Sequence, residues 1–208
     1  MADLLSYSLT NLADVKESLG IASSDTSKDN LIKRKINQAT LYIESYCCLS
    51  SDHHFALTTY TNEEYDGVGK NTIVLRMRPV VGLTSFQGRS SVTSDGSFSD
   101  IESELYFTDL KSGVVELLFT TVNSWNMYRV TYSAGYSTIP ADLAEACVTL
   151  ACFYVENSAS GTAVKKKQEG QRSIEYFQSS SGDGSVIDQL GIDDVLSRYK
   201  QYNLSDTR

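Results

Sequence analysis

The chain has 208 residues, a formal net charge of −8 and a pI near 4.8, with 41% hydrophobic and 21% charged residues. That balance argues against a general nucleic-acid binder, which carries a basic patch or stripe, because an acidic wall repels phosphates rather than gripping them. The length suits one substantial domain or two small ones and buries roughly 70% of the surface its unfolded form exposes, so no staples are required. The opening MADLLSYSLTNLADVK lacks the charged-then-apolar pattern of a signal peptide. No window approaches the roughly 18 apolar residues of a membrane span. Cys47, Cys48, Cys147 and Cys152 are therefore expected as free thiols of a protein made in a reducing cytoplasm.

In chain order, Thr10 or Asn11 caps a short helix through Leu12, Val15 and Leu19, and Gly20 supplies a left-handed stop. Asp25, Thr26 and Ser27 offer capping oxygens to a longer helix. Its apolar stripe runs Ile32, Ile36, Ala39, Ile43, then Tyr46 and Cys47, with Lys28, Lys33, Arg34 and Lys35 mostly off it. From about Phe55 the period changes from 3.6 to 2. LTTYTNEEYDG reads as a strand entering a turn. NTIVLRMR follows with Ile73, Leu75 and Met77 on one face, then PVVGLTSFQG with Pro79 at its start. SSVTSDGSFSDIESE is a polar loop, and ELYFTD, GVVELLF and NMYRVTYSAGY complete six strands of an antiparallel sandwich or barrel.

Pro140 opens a helix whose stripe is Leu143, Cys147, Leu150 and Tyr154, with Ala144, Ala146 and Ala151 beside it for close packing. Residues 157–185 are polar and Gly/Ser-rich and read as a long arm. A last amphipathic segment uses Val186, Ile187, Leu190, Val195, Leu196 and Tyr199. The expected class is α+β: a helical bundle of about four helices with an inserted antiparallel β domain. The expected division is an N-terminal helix pair over 1–54, the β insert over 55–137, and C-terminal helices with the arm over 138–208.

The chemical motifs fail one by one. DGVGKNT lacks a phosphate loop's glycine, since Glu64 stands five residues before Gly69, and Asn71 follows Lys70 where Ser or Thr is needed. It reads as a hairpin turn. Cys47, Cys48, His53 and His54 are close in sequence, but adjacent cysteines do not readily face one ion, and the two histidines read as surface loop residues. No Gly-x-Ser-x-Gly elbow exists. Glu63–Glu64, Glu102/Glu104 and Asp193–Asp194 read as solvated or helix-start charges rather than acid–base couples. Lys165, Lys166 and Lys167 are the one basic concentration, fit either for solubility or for contact with phosphates or an acidic partner. No catalytic residue, metal or cofactor is expected.

EEYDGVGKNTIVLRMRPVVGLTSF resembles the turn–strand–strand signature of the head–tail connector (adaptor, or head completion) proteins of tailed bacteriophages. YRVTYSAGYSTIPADLAEACVTLACFY is similar to the same family's passage from a last strand into a helix, and LTNLADVKESLGI with YIESYC resembles its N-terminal helix pair. Residues 87–104 carry no family signature. The resemblance implies a non-enzymatic subunit of the virion neck, assembled in the host cytoplasm. It implies a closed ring of about twelve copies with head-to-tail contacts below the portal protein. Such a ring extends the channel for packaged DNA, without sequence-specific binding, and presents a platform to a stopper or tail-completion protein; no membrane is involved. The alternative is another neck or tail component, such as a stopper or tail terminator. Portal contact is expected from Arg172, Tyr176, Phe177, Tyr199, Tyr202 and Leu204, and contact with channel DNA or an acidic partner from Lys165, Lys166 and Lys167.

Overall fold

The computed structural model describes residues 2–89, 97–159, 166–169, 172–175 and 186–201. The chain forms two compact units. One is drawn from Met1–Cys47 and Ile139–Lys200, the other from Cys48–Thr138 and Gln201–Arg208, of which Gln201 is described.

The helical unit begins with α1 (Leu12–Ser18), capped by the Asn11 side chain, which accepts from Asp14 N at 3.0 Å. Gly20 then takes φ +66°, as a left-handed stop requires. The entry to α2 (Asp29–Tyr46) differs from expectation. Lys28 occupies the cap position without a side-chain bond, and the Asp25 carboxylate accepts from Ser27 N instead. The Lys16 side chain stitches this turn together. Its ammonium reaches Ser23 O at 3.1 Å, Asp25 O at 2.6 Å and Asp29 Oδ1 at 2.9 Å, so a nearly buried cation is fully engaged.

Helix α2 buries Ile32, Ile36, Ala39 and Ile43 completely, and Cys47 at its C-cap is buried too, as the stripe demands. They pack on α3 (Ala141–Ala159), whose Leu143, Cys147, Leu150 and Ala151 are equally buried, whereas Tyr154 stays half-exposed. At the contact Thr40 Oγ1 accepts from Leu9 N and lies 3.8 Å from Cys147 Sγ. Burial pushes the Cys147 thiol up to about 12, so it is a packing residue rather than a reactive one. The last amphipathic segment is two short helices, α4 (Val186–Gln189) and α5 (Asp193–Ser197). Gly191 at φ +69° breaks the run between them.

Among the described residues the second unit holds seven strands, labelled β1 (Thr58–Gly67), β2 (Thr72–Val74), β3 (Val80–Arg89), β4 (Phe98–Asp100), β5 (Tyr106–Asp109), β6 (Val114–Leu117) and β7 (Ser124–Ala134). They form a four-stranded sheet, β1-β7-β3-β4, and a three-stranded sheet, β2-β6-β5, with all strand pairs antiparallel. The α+β class expected from the sequence is the class observed. The shared core contains Ile73, Leu75, Met77, Phe86, Val115, Leu117, Val130 and Tyr132, and Phe86 sets its ring edge-on to Tyr106 across the sheets. Strand β4 lies inside the stretch read as loop.

Gly135 explains the AGY motif. It sits at φ +104°, where a Cβ would lie 2.7 Å from both Phe55 O and Ala56 O. Its N–H donates to Pro79 O, and Tyr136 N donates to Phe55 O, so three chain segments meet at one residue. Gly135→Ala is expected to destabilise the fold by about 2–3 kcal/mol through strain and this backbone clash. Thermal unfolding of the purified variant checks it, and an unchanged midpoint would remove the steric account.

Within 157–185 the arm is not wholly irregular. It contains a two-stranded antiparallel hairpin, β8 (Lys166–Glu169) with β9 (Arg172–Glu175). Periodicity missed it because four-residue polar strands carry no apolar alternation to detect.

Candidate functional site

The most highly organised polar group lies inside the β unit. Glu63 of β1 is reached by four donors: Tyr65 Oη and Tyr132 Oη at 2.6 Å, His53 Nε2 at 2.9 Å and Arg76 Nη1 at 3.0 Å. The phenol oxygens in turn accept backbone bonds, Tyr65 from Arg76 N and Tyr132 from Met77 N, which ties the stretch after β2 to the four-stranded sheet. His53 is buried and stacks on Tyr60 at 4.8 Å between ring centroids. Its Nδ1 meets Ser50 Oγ.

Glu63 is not a solvated charge, and His53 is not on a surface loop. Their burial is tolerated because each polar atom finds a partner. Burial alone would raise the Glu63 carboxyl, but the bonds from His53, Tyr132, Tyr65 and Arg76 outweigh it and hold it at about 2. Burial, with the adjacent carboxylate, raises both phenols.

The order Ser50–His53–Glu63 has the residue types of a nucleophilic triad. The serine–histidine contact, however, is the local geometry of a turn in which His53 N donates to Ser50 O at 3.0 Å. The carboxylate also takes Arg76 and both phenols, so it is not dedicated to orienting the histidine as a triad's acid is. The cluster is a structural hub.

The hub sets a pH dependence. The Glu63 carboxyl sits at about 2 in the fold against an ordinary 4.5, so its contribution is complete above pH 4.5 and is lost as pH falls toward 2. The loss is at most about 3 kcal/mol, less whatever solvent screening removes. Urea midpoints measured between pH 6 and 2.5 should fall across that window in the parent and stay flatter in Glu63→Gln.

Glu64, on the opposite face of β1, takes Arg129 Nη2 at 2.7 Å and Arg89 Nη2 at 3.8 Å, and both guanidiniums lie over the Phe98 ring. Among the described residues no group of three or more His, Cys, Asp or Glu side chains is placed to hold a metal ion. No described helix is long and apolar enough to cross a membrane. Cys47 is buried with its thiol on Leu196 O, whereas neighbouring Cys48 is exposed at φ +65°.

The expected contact residues fall in different places. Arg172, Lys166 and Lys167 lie on the β8–β9 hairpin, where the register sets Lys166 opposite Glu175, Lys167 opposite Ile174 and Glu169 opposite Arg172. The half-exposed Tyr199 donates its hydroxyl to Asp142 Oδ1 at 2.5 Å, and so helps to dock the segment after α5 on the start of α3. Gln201 was missed by sequence reading. Its side chain accepts from Arg78 N at 3.0 Å and donates to Arg78 O at 2.5 Å, mimicking a strand pairing just before β3. A glutamine near a chain's end gives no sequence signal of such a role. Tyr202 and Leu204, which follow this anchor, lie outside the described residues, as do Lys165, Tyr176 and Phe177.

The α+β fold is shared with chains of solved particle structures. It is similar to a chain from the neck of an empty gene transfer agent (GTA) particle computed with C6 symmetry, with a TM-score of 0.56 and 13% identity over 99% of this chain and 96% of that one. It is similar also to a chain from the neck of the native particle computed with C12 symmetry, with a TM-score of 0.55 and 14% identity over 100% and 99%. A chain from the virion of the native particle gives a TM-score of 0.55 and 14% identity over 97% and 94%. No curated protein matches in sequence. The family model of the head completion proteins matches residues 8–175, and the chain belongs to that family.

Proposed function

We propose that this protein is a head–tail connector (adaptor) subunit that closes into a ring below the portal protein of a tailed phage or related particle. The carrying observation is the family match over residues 8–175, joined to a fold shared along nearly the whole chain with subunits of particle necks. Their C6 and C12 symmetries support a ring of about twelve copies, and a closed ring of identical chains needs head-to-tail contacts.

In this reading the chain is not an enzyme. The ring lengthens the DNA channel, its acidic balance suits a passage rather than a clamp, and its far side seats a stopper or tail-completion protein. The division into helical segments over 1–54 and 138–208 around a β insert over 55–137 is supported by the two compact units. The arm hairpin and the C-terminal residues from Tyr199 onward are the proposed portal contacts.

Particles assembled without this protein are expected to be packaged heads that carry no tails and lose their DNA. Electron microscopy of such lysates checks this, and normally tailed particles would contradict the role.

A further inference from the structure

One end of the β unit carries a compact apolar projection. Between the pairs Tyr65–Tyr128 and Gly67–Ser124, three residues of β7 stand against Asp66 alone, so β7 bulges outward. Asn126 takes φ +47° in the bulge, and its N–H donates to Asp66 Oδ1 at 2.7 Å, which fixes the distortion. The bulge presents Trp125, the chain's only tryptophan, at 67% exposure. The approach to β7 is clipped to the turn after β1 by Leu117 N to Asn71 O at 2.7 Å and Thr121 N to Lys70 O at 2.8 Å. Gly67 packs so tightly on Val122 that a Cβ would lie 1.8 Å from its carbonyl oxygen. Val68, Leu118 and Val122 thus stand at this same end, 48%, 78% and 58% exposed. Exposed apolar groups gathered on a braced support mark a docking surface, and tryptophan is the most typical anchor of one.

The helical unit carries a complementary shape. A cleft of about 510 Å³ lies between α1 and the start of α2, lined by Leu12, Ala13, Ile21, Lys16, Glu17 and Asp29. It falls within the range of roughly 300–1,000 Å³ typical of pockets for drug-sized ligands, ample for an indole ring. The Lys16 ammonium is already bonded to two carbonyls and Asp29, so the lining does not lose an unpaired charge when it is covered.

A projection and a cleft at different places on one chain make a head-to-tail contact between identical copies, the kind that closes a ring. We propose that Trp125 of one copy enters the Leu12–Ala13–Ile21 cleft of the next copy in the ring. This rests on the ring reading above and names the contact that closes it.

The test places photoactivatable benzoylphenylalanine at position 125 in a mixture of light and heavy nitrogen-labelled copies, assembled into particle necks and mapped by mass spectrometry. The expected cross-links join position 125 to residues 12–29 of the other isotope. Ala13→Arg, at an exposed position on α1, should keep the parent's circular dichroism and reduce assembly at least tenfold, as should Trp125→Ser. In the parent, Trp125 emission should move to the blue on assembly. Cross-links within one copy, to another virion protein or elsewhere on the neighbour would overturn the contact, as would normal assembly of either variant. A ring whose position 125 cross-links elsewhere sinks this contact alone, whereas absence of any ring from the parent sinks the connector reading with it.

Discussion

Replacing Glu63 by alanine is expected to destabilise the β unit by about 3–5 kcal/mol, the range for removing one partner of a buried charged network. The carboxylate serves four donors, and its loss strands a buried imidazole, two buried phenols and the Arg76 guanidinium at once. Their alternative partners are few. Arg76 Nη2 keeps Glu64 O at 2.9 Å, His53 Nδ1 keeps Ser50 Oγ, and Tyr65 Oη can turn its proton to Tyr132 Oη at 3.2 Å, which leaves the Tyr132 proton without the acceptor it had in Glu63. Glu63→Gln should cost less, because an amide oxygen still accepts while its NH2 opposes the donors. With typical domain stabilities of about 5–15 kcal/mol, the alanine variant loses a large share of the total. Urea titration followed by near- and far-UV circular dichroism reads the loss. A change below about 1 kcal/mol would mean that the hub is relieved by water and does not organise the unit.

Deleting residues 165–178 is expected to abolish attachment to the portal while leaving the helical and β units folded. The β8–β9 pair is a sheet of two strands only, so among the described residues both of its edges lack a further strand. An isolated hairpin of this size is marginal in water, and pairing to a partner's edge or groove is the common way such a segment is completed. The backbone register sets Lys166 opposite Glu175 and Glu169 opposite Arg172. Within residues 165–178, Lys165, Lys166, Lys167 and Arg172 are partly offset by Glu169 and Glu175. So small a surplus suits a protein surface better than DNA phosphates, since phosphate binding scales with the number of cations. Co-sedimentation of the deletion variant with portal-bearing heads measures attachment, and retention at parent levels would remove the arm from the portal contact.

The helices were legible where an apolar stripe or a cap forced them. Ile32 to Cys47 on α2, Leu143 to Ala151 on α3, the Asn11 cap and the Gly20 stop follow from spacing and backbone preference alone. The β-strands were legible because their inward residues alternate, as Ile73, Leu75 and Met77 do. The interior of the β unit was not. Nothing in EE tells which glutamate turns inward: the irregular register between Tyr60 and Glu63 decides it, and that irregularity depends on pairing with β7. His53 likewise looks like loop until Glu63 and Tyr60 are in place around it. The Arg78–Gln201 pairing and the β8–β9 hairpin escaped for a related reason, since polar groups pair through geometry that leaves no periodic trace. Family resemblance rested on YSAGYSTIPADL and the DG-to-Pro strands. At Gly135 and Asp66–Gly67 those motifs coincide with positions where backbone crowding or a bulge restricts the residue.

The most direct measurement of the connector role is a cryo-electron reconstruction of the particle neck with this protein in place. A closed ring of about twelve copies is expected, seated on the portal with its channel coaxial with the packaged DNA, and with density for residues 166–175 against the portal. Density for this chain in the tail tube or at the tail's distal end, with none at the portal, would contradict it.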